Sequence, residues 1–163
     1  IAHGDDIFDF PKLSLTKTVA ASHQIMRTPG PKIIIAGSGM SHGGRIREHE
    51  RRYLADPDTT LLLVGYQSIG SVGRLLQNGA KRVRLDGVDI RVKARIATIG
   101  GYSAHTDRDG LIDFVARGGD QVERVFVTMG EEKASLFLVQ RLCDYLGVHA
   151  IAPESGSKVT IQF

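Results

Sequence analysis

The chain has 163 residues, of which 42% are hydrophobic and 24% are charged. This composition is typical of a globular protein, and the length suits one domain with a core of moderate size. No apolar run approaches the roughly 18 residues of a membrane span, and no signal peptide is visible. Because the sequence begins at Ile1, we expect a processed chain or a fragment. The single cysteine, Cys143, excludes an internal disulfide. We expect its thiol to be buried and inert, and the protein to be cytoplasmic.

The net charge of +3 is too small to indicate nucleic-acid binding by itself. The basic side chains are nevertheless concentrated in one predicted helix and along the following strands. They are Arg45, Arg47, Arg51, Arg52, Lys81, Arg82, Arg84, Arg91, Lys93 and Arg95. Two interpretations stay open, a solvated strand face, which each residue favours when taken singly, and a phosphate-binding track.

Strands and helices alternate along the chain. Strands are predicted at 13–16, 32–36, 60–64, 96–99, 124–128, 148–151 and 158–162, and helices at 19–27, 45–55, 72–77, 107–117 and 131–146. Unbroken apolar strands separated by helices predict an α/β fold with a parallel sheet covered on both faces. Residues 81–99 instead alternate apolar and charged side chains around Asp86-Gly87, which predicts an antiparallel ribbon and a boundary between structural units.

A glycine-rich loop follows the predicted strand at 32–36 and leads into the next helix. It contains Ser38, Gly39, Met40, Gly43 and Gly44. Glycines allow backbone N–H groups to approach a phosphate, and a helix N-terminus adds positive potential. No Lys-Ser/Thr pair follows, so the loop is not a Walker A sequence. A phosphate site and a tight structural turn are both open interpretations.

A second loop, at 65–73, follows the strand at 60–64 and includes Gln67. Loops that leave adjacent parallel strands lie together at the carboxyl edge of a sheet, where α/β proteins bind ligands. The pair of loops therefore indicates a binding edge more strongly than either loop alone.

His105 follows the predicted strand at 96–99 and precedes an acidic helix start, which we expect Thr106 to cap. This position suits proton transfer or metal binding, although a structural role is the more common one for a single histidine. Asp107 and Asp109 fit the positive end of the helix dipole better than they fit a metal site.

Several segments, in this order, resemble the β-CASP branch of the metallo-β-lactamase-fold nucleases, which includes RNA 3′-end processing endonucleases and related ribonucleases. The similar segments are residues 31–40 with 43–44, 56–57, 63–67 with 73–74, 92–95, 102–107 and 127–131. They span essentially the whole chain but only about the carboxyl-terminal third of those enzymes. The resemblance implies the carboxyl-terminal part of a β-CASP domain at 1–97, followed by the carboxyl-terminal part of a metallo-β-lactamase αββα domain at 98–163.

The resemblance also implies roles for individual residues. His105 matches the histidine that contacts the scissile phosphate, and we expect Ser103, in the same segment, to contribute to phosphate binding. Met129 occupies the position of a histidine zinc ligand, and a thioether is a poor ligand for zinc. The His-x-His-x-Asp-His signature of the family is absent from this chain. We therefore expect zinc in the full-length enzyme and no metal in this chain alone.

Our leading hypothesis is a portion of a zinc-dependent ribonuclease that hydrolyses RNA phosphodiester bonds, the portion itself being inactive. The expected partners are RNA, the missing amino-terminal portion and a second copy of the chain, with no membrane. One alternative, favoured by Met129, is a catalytically degenerate RNA-binding or assembly subunit. Another is a plain α/β domain that binds a small phosphate ligand through its two glycine loops.

Overall fold

The computed structural model describes residues 8–102 and 105–161. The helices are α1 (Val19–Ile25), α2 (Ile46–Tyr53), α3 (Val72–Gln77), α4 (Arg108–Ala116) and α5 (Glu132–Leu146). The strands are β1 (Thr60–Val64), β2 (Arg82–Leu85), β3 (Val88–Arg91), β4 (Arg95–Ile99), β5 (Arg124–Phe126) and β6 (His149–Ile151). The chain forms two compact units. The first comprises Ile1–Leu63 and Ser71–Thr98, and the second comprises Val64–Gly70 and Ile99–Phe163.

An apolar core holds the first unit together. Its buried members are Leu54, Leu63, Leu76, Val83, Leu85, Ile90 and Ala94. They come from the end of α2, from β1 and α3, and from the β2–β3 hairpin with the residues after it. Strand β1 pairs with β4 in a separate two-stranded sheet. The helices and the hairpin therefore share one core, which supports the loops between them.

The β2–β3 hairpin confirms the antiparallel ribbon predicted from alternating residues. Leu85 pairs with Val88 across a two-residue turn. Both turn residues have positive φ, 49° at Asp86 and 80° at Gly87, as a tight hairpin turn requires. Arg82 and Arg84 alternate with buried apolar residues and face solvent. Both the solvated-face and the phosphate-track interpretations require this exposure, so the two stay open for these arginines.

The second unit contains a parallel strand pair joined by a helix. Strand β5 pairs in parallel with β6, and α5 connects them. Helix α5 buries Ser135 and Leu142 and ends at Gly147, whose φ of 65° is favourable for glycine. Helix α4 packs against α5. The predicted helices and the strand positions of this unit are thus confirmed, apart from the last predicted strand.

Three predicted strands are not observed. Residues 13–16 and 32–36 lack strand structure, as do the described residues of 158–162, whose last member lies outside the described part. Ile33 and Ile35 were expected to be buried but are 92% and 90% exposed. An apolar run becomes a buried strand only when a neighbouring strand pairs with it and another layer covers it. In the described ranges no strand pairs with residues 32–36.

The continuous parallel sheet predicted from the sequence is consequently not observed in the described residues. The strands form three two-stranded sheets, β1 with β4, β2 with β3 and β5 with β6. The structure retains the mixed α/β character and one parallel pair, β5 with β6. The apolar run at 32–36, which was to supply one of the parallel strands, contributes no strand to them.

Two local expectations are also corrected. Asp107, rather than Thr106, caps α4, because the Asp107 carboxylate accepts a hydrogen bond from the Gly110 N–H at 2.9 Å. Cys143 is exposed instead of buried. It follows the buried Leu142 in α5, and successive residues of a helix point roughly 100° apart, so Cys143 does not share the direction of Leu142. Its thiol lies 3.9 Å from the carbonyl oxygen of Ala150.

Candidate functional site

The glycine-rich loop of the first unit is a series of tight turns. Ser38 and Ser41 adopt left-handed φ values of 69° and 59°, and Gly44 has a φ of 74°. The Ser41 N–H donates to the Ser38 carbonyl at 2.9 Å, and the Gly43 N–H donates to Ser38 Oγ at 3.2 Å. Two of the N–H groups predicted to face a phosphate are therefore already engaged inside the loop. Both the turn and the binding interpretations remain compatible with this geometry.

The end of the second loop meets the first loop within this unit. The Gly73 N–H donates to the Met40 carbonyl at 3.4 Å. Ser71 caps α3 through a hydrogen bond from the Arg74 N–H to Ser71 Oγ at 3.0 Å. The start of α3 is therefore fixed beside the glycine-rich loop.

A cavity of about 410 Å³ adjoins this loop. Gly43 and Gly44 contribute to its wall, together with side chains from α1 and the start of α2, and Asp86. The charged or titratable lining residues are His23, His42, Arg45, Arg47, Glu48 and Asp86. Arg47 forms an ion pair with Asp86 at 2.9 Å. The lining combines cationic and acidic groups, so its charge alone does not define one ligand.

Two titratable side chains of helix α2, His49 and Glu50, are buried. The hydroxyl of Ser22 lies 3.0 Å from His49 Nε2, and the Ser41 hydroxyl donates to Glu50 Oε1 at 2.5 Å. Burial lowers the pKa of His49, while the nearby Glu48 opposes this shift. Burial raises the pKa of Glu50, while the Ser41 hydrogen bond and Arg47 oppose it. The charged pattern of α2 does not predict that these two side chains are buried.

In the second unit, Glu131 connects the loop that contains Gln67 to the segment that contains Met129. The Tyr66 hydroxyl and the Ile69 N–H both donate to Glu131 Oε1, the latter at 3.2 Å. The Gln67 side chain is buried and donates to the Gly65 carbonyl at 3.5 Å. Two segments distant in sequence thus meet at one carboxylate, a role that the sequence alone does not predict for Glu131.

His105 is exposed and lies between β4 and α4. The capping carboxylate of Asp107 follows two residues later, and Arg108 forms an ion pair with Asp109 at 2.6 Å. These contacts agree with the interpretation of both aspartates as helix-start residues. Ser103, the other site residue predicted in this segment, lies outside the described residues.

Met129 is fully exposed and has a left-handed φ of 66°. Among residues 8–102 and 105–161, no three His, Cys, Asp or Glu side chains form a cluster that could hold a metal ion. The donor groups described therefore do not fit a zinc ion by themselves. Within the same residues, no helix combines the length and the apolar character needed to cross a membrane.

The predicted site residues belong to two units. Ser38, Gly39, Met40, Gly43 and Gly44 lie in the first unit, as part of Ile1–Leu63. Gln67, His105 and Met129 lie in the second. The loop that contains Gln67 is joined there to the segment that contains Met129 by hydrogen bonds from Tyr66 and Ile69 to Glu131.

Two family descriptions match consecutive parts of the chain. Residues 2–76 match the Beta-Casp domain, and residues 89–153 match the Zn-dependent metallo-hydrolase RNA specificity domain. Among the relatives is the ribonuclease TTHA0252 of Thermus thermophilus, which is 37% identical over 77% of this chain and 28% of its own length.

Transcription termination factors named FttA are also similar. The factor from Methanosarcina mazei is 34% identical over 81% of this chain and 22% of its own length. The factor from Thermococcus kodakarensis is 34% identical over 90% of this chain and 24% of its own length. The chain therefore spans about a quarter of the length of these relatives. One of these relatives is a ribonuclease. Both domain matches and the relatives show that the chain belongs to the β-CASP family of metallo-β-lactamase-fold proteins.

Proposed function

We propose that this chain is the carboxyl-terminal portion of a β-CASP nuclease that hydrolyses RNA phosphodiester bonds in the cytoplasm, and that it has no nuclease activity by itself. The observation that carries the proposal is the order of the two matched domains, a Beta-Casp domain followed by an RNA specificity domain of zinc-dependent hydrolases. We assign residues 1–97 to the first domain and 98–163 to the second. The ribonuclease among the relatives supports hydrolysis as the reaction.

The residues of this chain would bind and orient the RNA. The loop at Ser38–Gly44 and the segment that includes Gln67 would hold the phosphate backbone, as would Ser103. His105 would contact the scissile phosphate and donate a proton to the leaving oxygen, a role that needs an exposed imidazole on a fixed support. The capped start of α4 supplies that support. Zinc belongs to the matched family. We assign its ligands to the remainder of the full-length protein.

The test compares the full-length protein with the 163-residue chain on end-labelled single-stranded RNA in the presence of zinc. We expect metal-dependent cleavage by the full-length protein, and we expect the chain to bind the RNA without cleaving it. Replacing His105 with alanine should reduce the cleavage rate by about 10²- to 10⁴-fold, the usual contribution of a general acid or base. His149→Ala is the matched control, because His149 is exposed in the same unit but lies on β6.

Cleavage by the isolated chain would overturn the assignment of the metal ligands to another part of the protein. Equal losses in the two histidine variants would remove the specific role of His105. A full-length protein that neither binds nor cleaves RNA would overturn the proposed function itself.

Met129 supports a second candidate, a non-catalytic member of the family that binds RNA or assists assembly. Its thioether replaces the histidine that the family resemblance places at this position, and a neutral sulfur is a weak zinc ligand. This candidate predicts RNA binding by the full-length protein with no cleavage. The presence or absence of the His-x-His-x-Asp-His signature in the full-length sequence distinguishes the two candidates.

A further inference from the structure

Glu50 has an unusual environment for a glutamate. It lies in the eight-residue helix α2, most of whose residues are polar, yet only 3% of its surface is exposed. Carboxylates are rarely buried unless a partner satisfies them, because burial removes their hydration. In the described part of the chain, Glu50 Oε2 has no hydrogen-bond partner, whereas Oε1 has one. The neighbour bonded to Oε1 therefore indicates what the burial of Glu50 achieves.

That neighbour is the glycine-rich loop. The Ser41 hydroxyl donates to Glu50 Oε1 at 2.5 Å, and Ser41 itself is buried. Arg47, one helical turn earlier, donates to the backbone carbonyls of Ser41 at 3.3 Å and His42 at 3.2 Å. Helix α2 thus holds the loop through a side chain and through the backbone at the same point.

The loop requires such support. Ser38 and Ser41 both have left-handed backbone conformations, which are unfavourable for residues other than glycine. Conformations of this kind persist where surrounding contacts determine them, and they are frequent at ligand sites. The hydrogen bond from Ser41 to Glu50 fixes the second left-handed residue directly.

We propose that Glu50, acting through Ser41, is a positioning residue that holds the glycine-rich loop in the conformation that binds an RNA phosphate. The inference rests on the proposed RNA-binding function. Glu50 does not contact the RNA in this arrangement, because it is buried beneath the loop and bonded to Ser41.

The proposal predicts an effect opposite to that of simple charge. Removing a carboxylate close to an RNA site reduces repulsion of the phosphates and should strengthen binding. Removing a carboxylate that holds the loop should weaken binding, since the phosphate site then has to be ordered on each encounter. The sign of the change in affinity therefore separates the two interpretations.

The experiment measures the Kd of the full-length protein for single-stranded RNA across a range of salt concentrations. We expect Glu50→Ala and Ser41→Ala each to raise the Kd about 3- to 10-fold, the size of one net hydrogen bond. The double variant should be no weaker than either single variant, because both changes break the same contact. Glu50→Gln should restore most of the affinity, since its amide oxygen still accepts the Ser41 hydroxyl proton. The slope of log Kd against log salt should stay unchanged, as no phosphate contact is lost.

Glu48→Gln is the matched control. Glu48 lies on the same helix, lines the cavity and has the same charge, and its carboxylate is 3.5 Å from Arg51 on that helix. We expect its Kd to stay unchanged or to fall. Hydrogen exchange without RNA gives a second readout, in which Glu50→Ala should accelerate the Ser41 and Gly43 amides and Glu48→Gln should not.

The outcomes are distinguishable. Tighter or unchanged binding by Glu50→Ala, with binding by the unmodified protein intact, overturns the positioning role alone. So does a lower saturating fraction bound at an unchanged Kd, because that result signifies partial unfolding. Absence of RNA binding by the unmodified protein overturns both this inference and the proposed function.

Discussion

The cap of helix α4 provides a direct test of how the His105 segment is supported. The Asp107 carboxylate accepts a hydrogen bond from the Gly110 N–H at 2.9 Å, and its backbone is extended as an N-cap requires. Helix α4 has nine residues, and none of the described ones is buried. A short helix with little buried surface depends strongly on its caps. Removing this cap should therefore loosen the first turn next to His105.

The expected magnitude follows from the cap itself. Replacing an aspartate N-cap by alanine costs about 1 kcal/mol, within a range of about 0.5–2 kcal/mol. Since about 1.4 kcal/mol is a tenfold change in an equilibrium constant, Asp107→Ala should increase the open population of the turn about fivefold. Hydrogen exchange of the Gly110 and Leu111 amides should accelerate by the same factor, whereas α5 amides should keep their rates.

Asp107→Asn and Asp109→Ala are the controls. Asparagine retains a side-chain oxygen that can accept the Gly110 hydrogen bond, so its exchange rates should stay close to those of the unmodified protein. Asp109 pairs with Arg108 and does not cap the helix, so its removal should have a smaller effect. Equal acceleration in Asp107→Asn and Asp107→Ala would refute the capping argument. Loss of RNA cleavage in both variants with unchanged exchange would instead indicate that the Asp107 charge acts in the reaction.

Three further predictions concern the core, the buried carboxylate and the metal position. Leu76 has no exposed surface, so Leu76→Ala should destabilise the first unit by about 2–5 kcal/mol in chemical denaturation, and Leu75→Ala, at a position 47% exposed, should cost clearly less; similar losses would contradict the assigned core. Burial raises the pKa of Glu50 above its ordinary value of 4.5. Between the pKa of Glu50 in the unfolded chain and its higher pKa in the folded protein, the folded state binds more protons. The contribution of Glu50 to stability therefore falls as the pH rises through this window. Glu50→Gln should therefore have the higher denaturation midpoint near neutral pH, with the difference shrinking as the pH falls; a lower midpoint at neutral pH would contradict this sign. Met129→His in the full-length protein should raise its zinc content by metal analysis, because the position is exposed and its left-handed backbone is one that histidine adopts more readily than most residues; unchanged zinc would show that Met129 does not occupy a ligand position.

Features with a local signal could be predicted from the sequence. Asp86-Gly87 predicted the hairpin turn because two positive φ values are needed there, and glycine and aspartate tolerate them. The predicted long helix near 131–146 ends before Gly147, which takes the left-handed conformation that follows many helices. In both cases the deciding interaction lies within a few residues of the signal.

Features that depend on a distant partner could not be predicted in this way. The run at 32–36 has the composition of a buried strand, but Ile33 and Ile35 are exposed because no described strand pairs with them. Burial of His49 depends on Ser22, which is 27 residues away. The charged pattern of α2 contains no information about this contact between His49 and Ser22.

The candidate site shows the same difference between features with a local signal and contacts with distant residues. The sequence identified the segment around Gln67 from its glycines and its position after a predicted strand, and it identified the segment around Met129 from the resemblance to the β-CASP family. Their junction depends on Glu131, which accepts hydrogen bonds from Tyr66, 65 residues away, and from Ile69, 62 residues away. A carboxylate that orders a loop and one that binds a metal have the same appearance in a sequence, because both are acidic residues beside glycine. The hydrogen bonds of Glu131 assign it an ordering role, and they do so without any reference to the metal that the family binds.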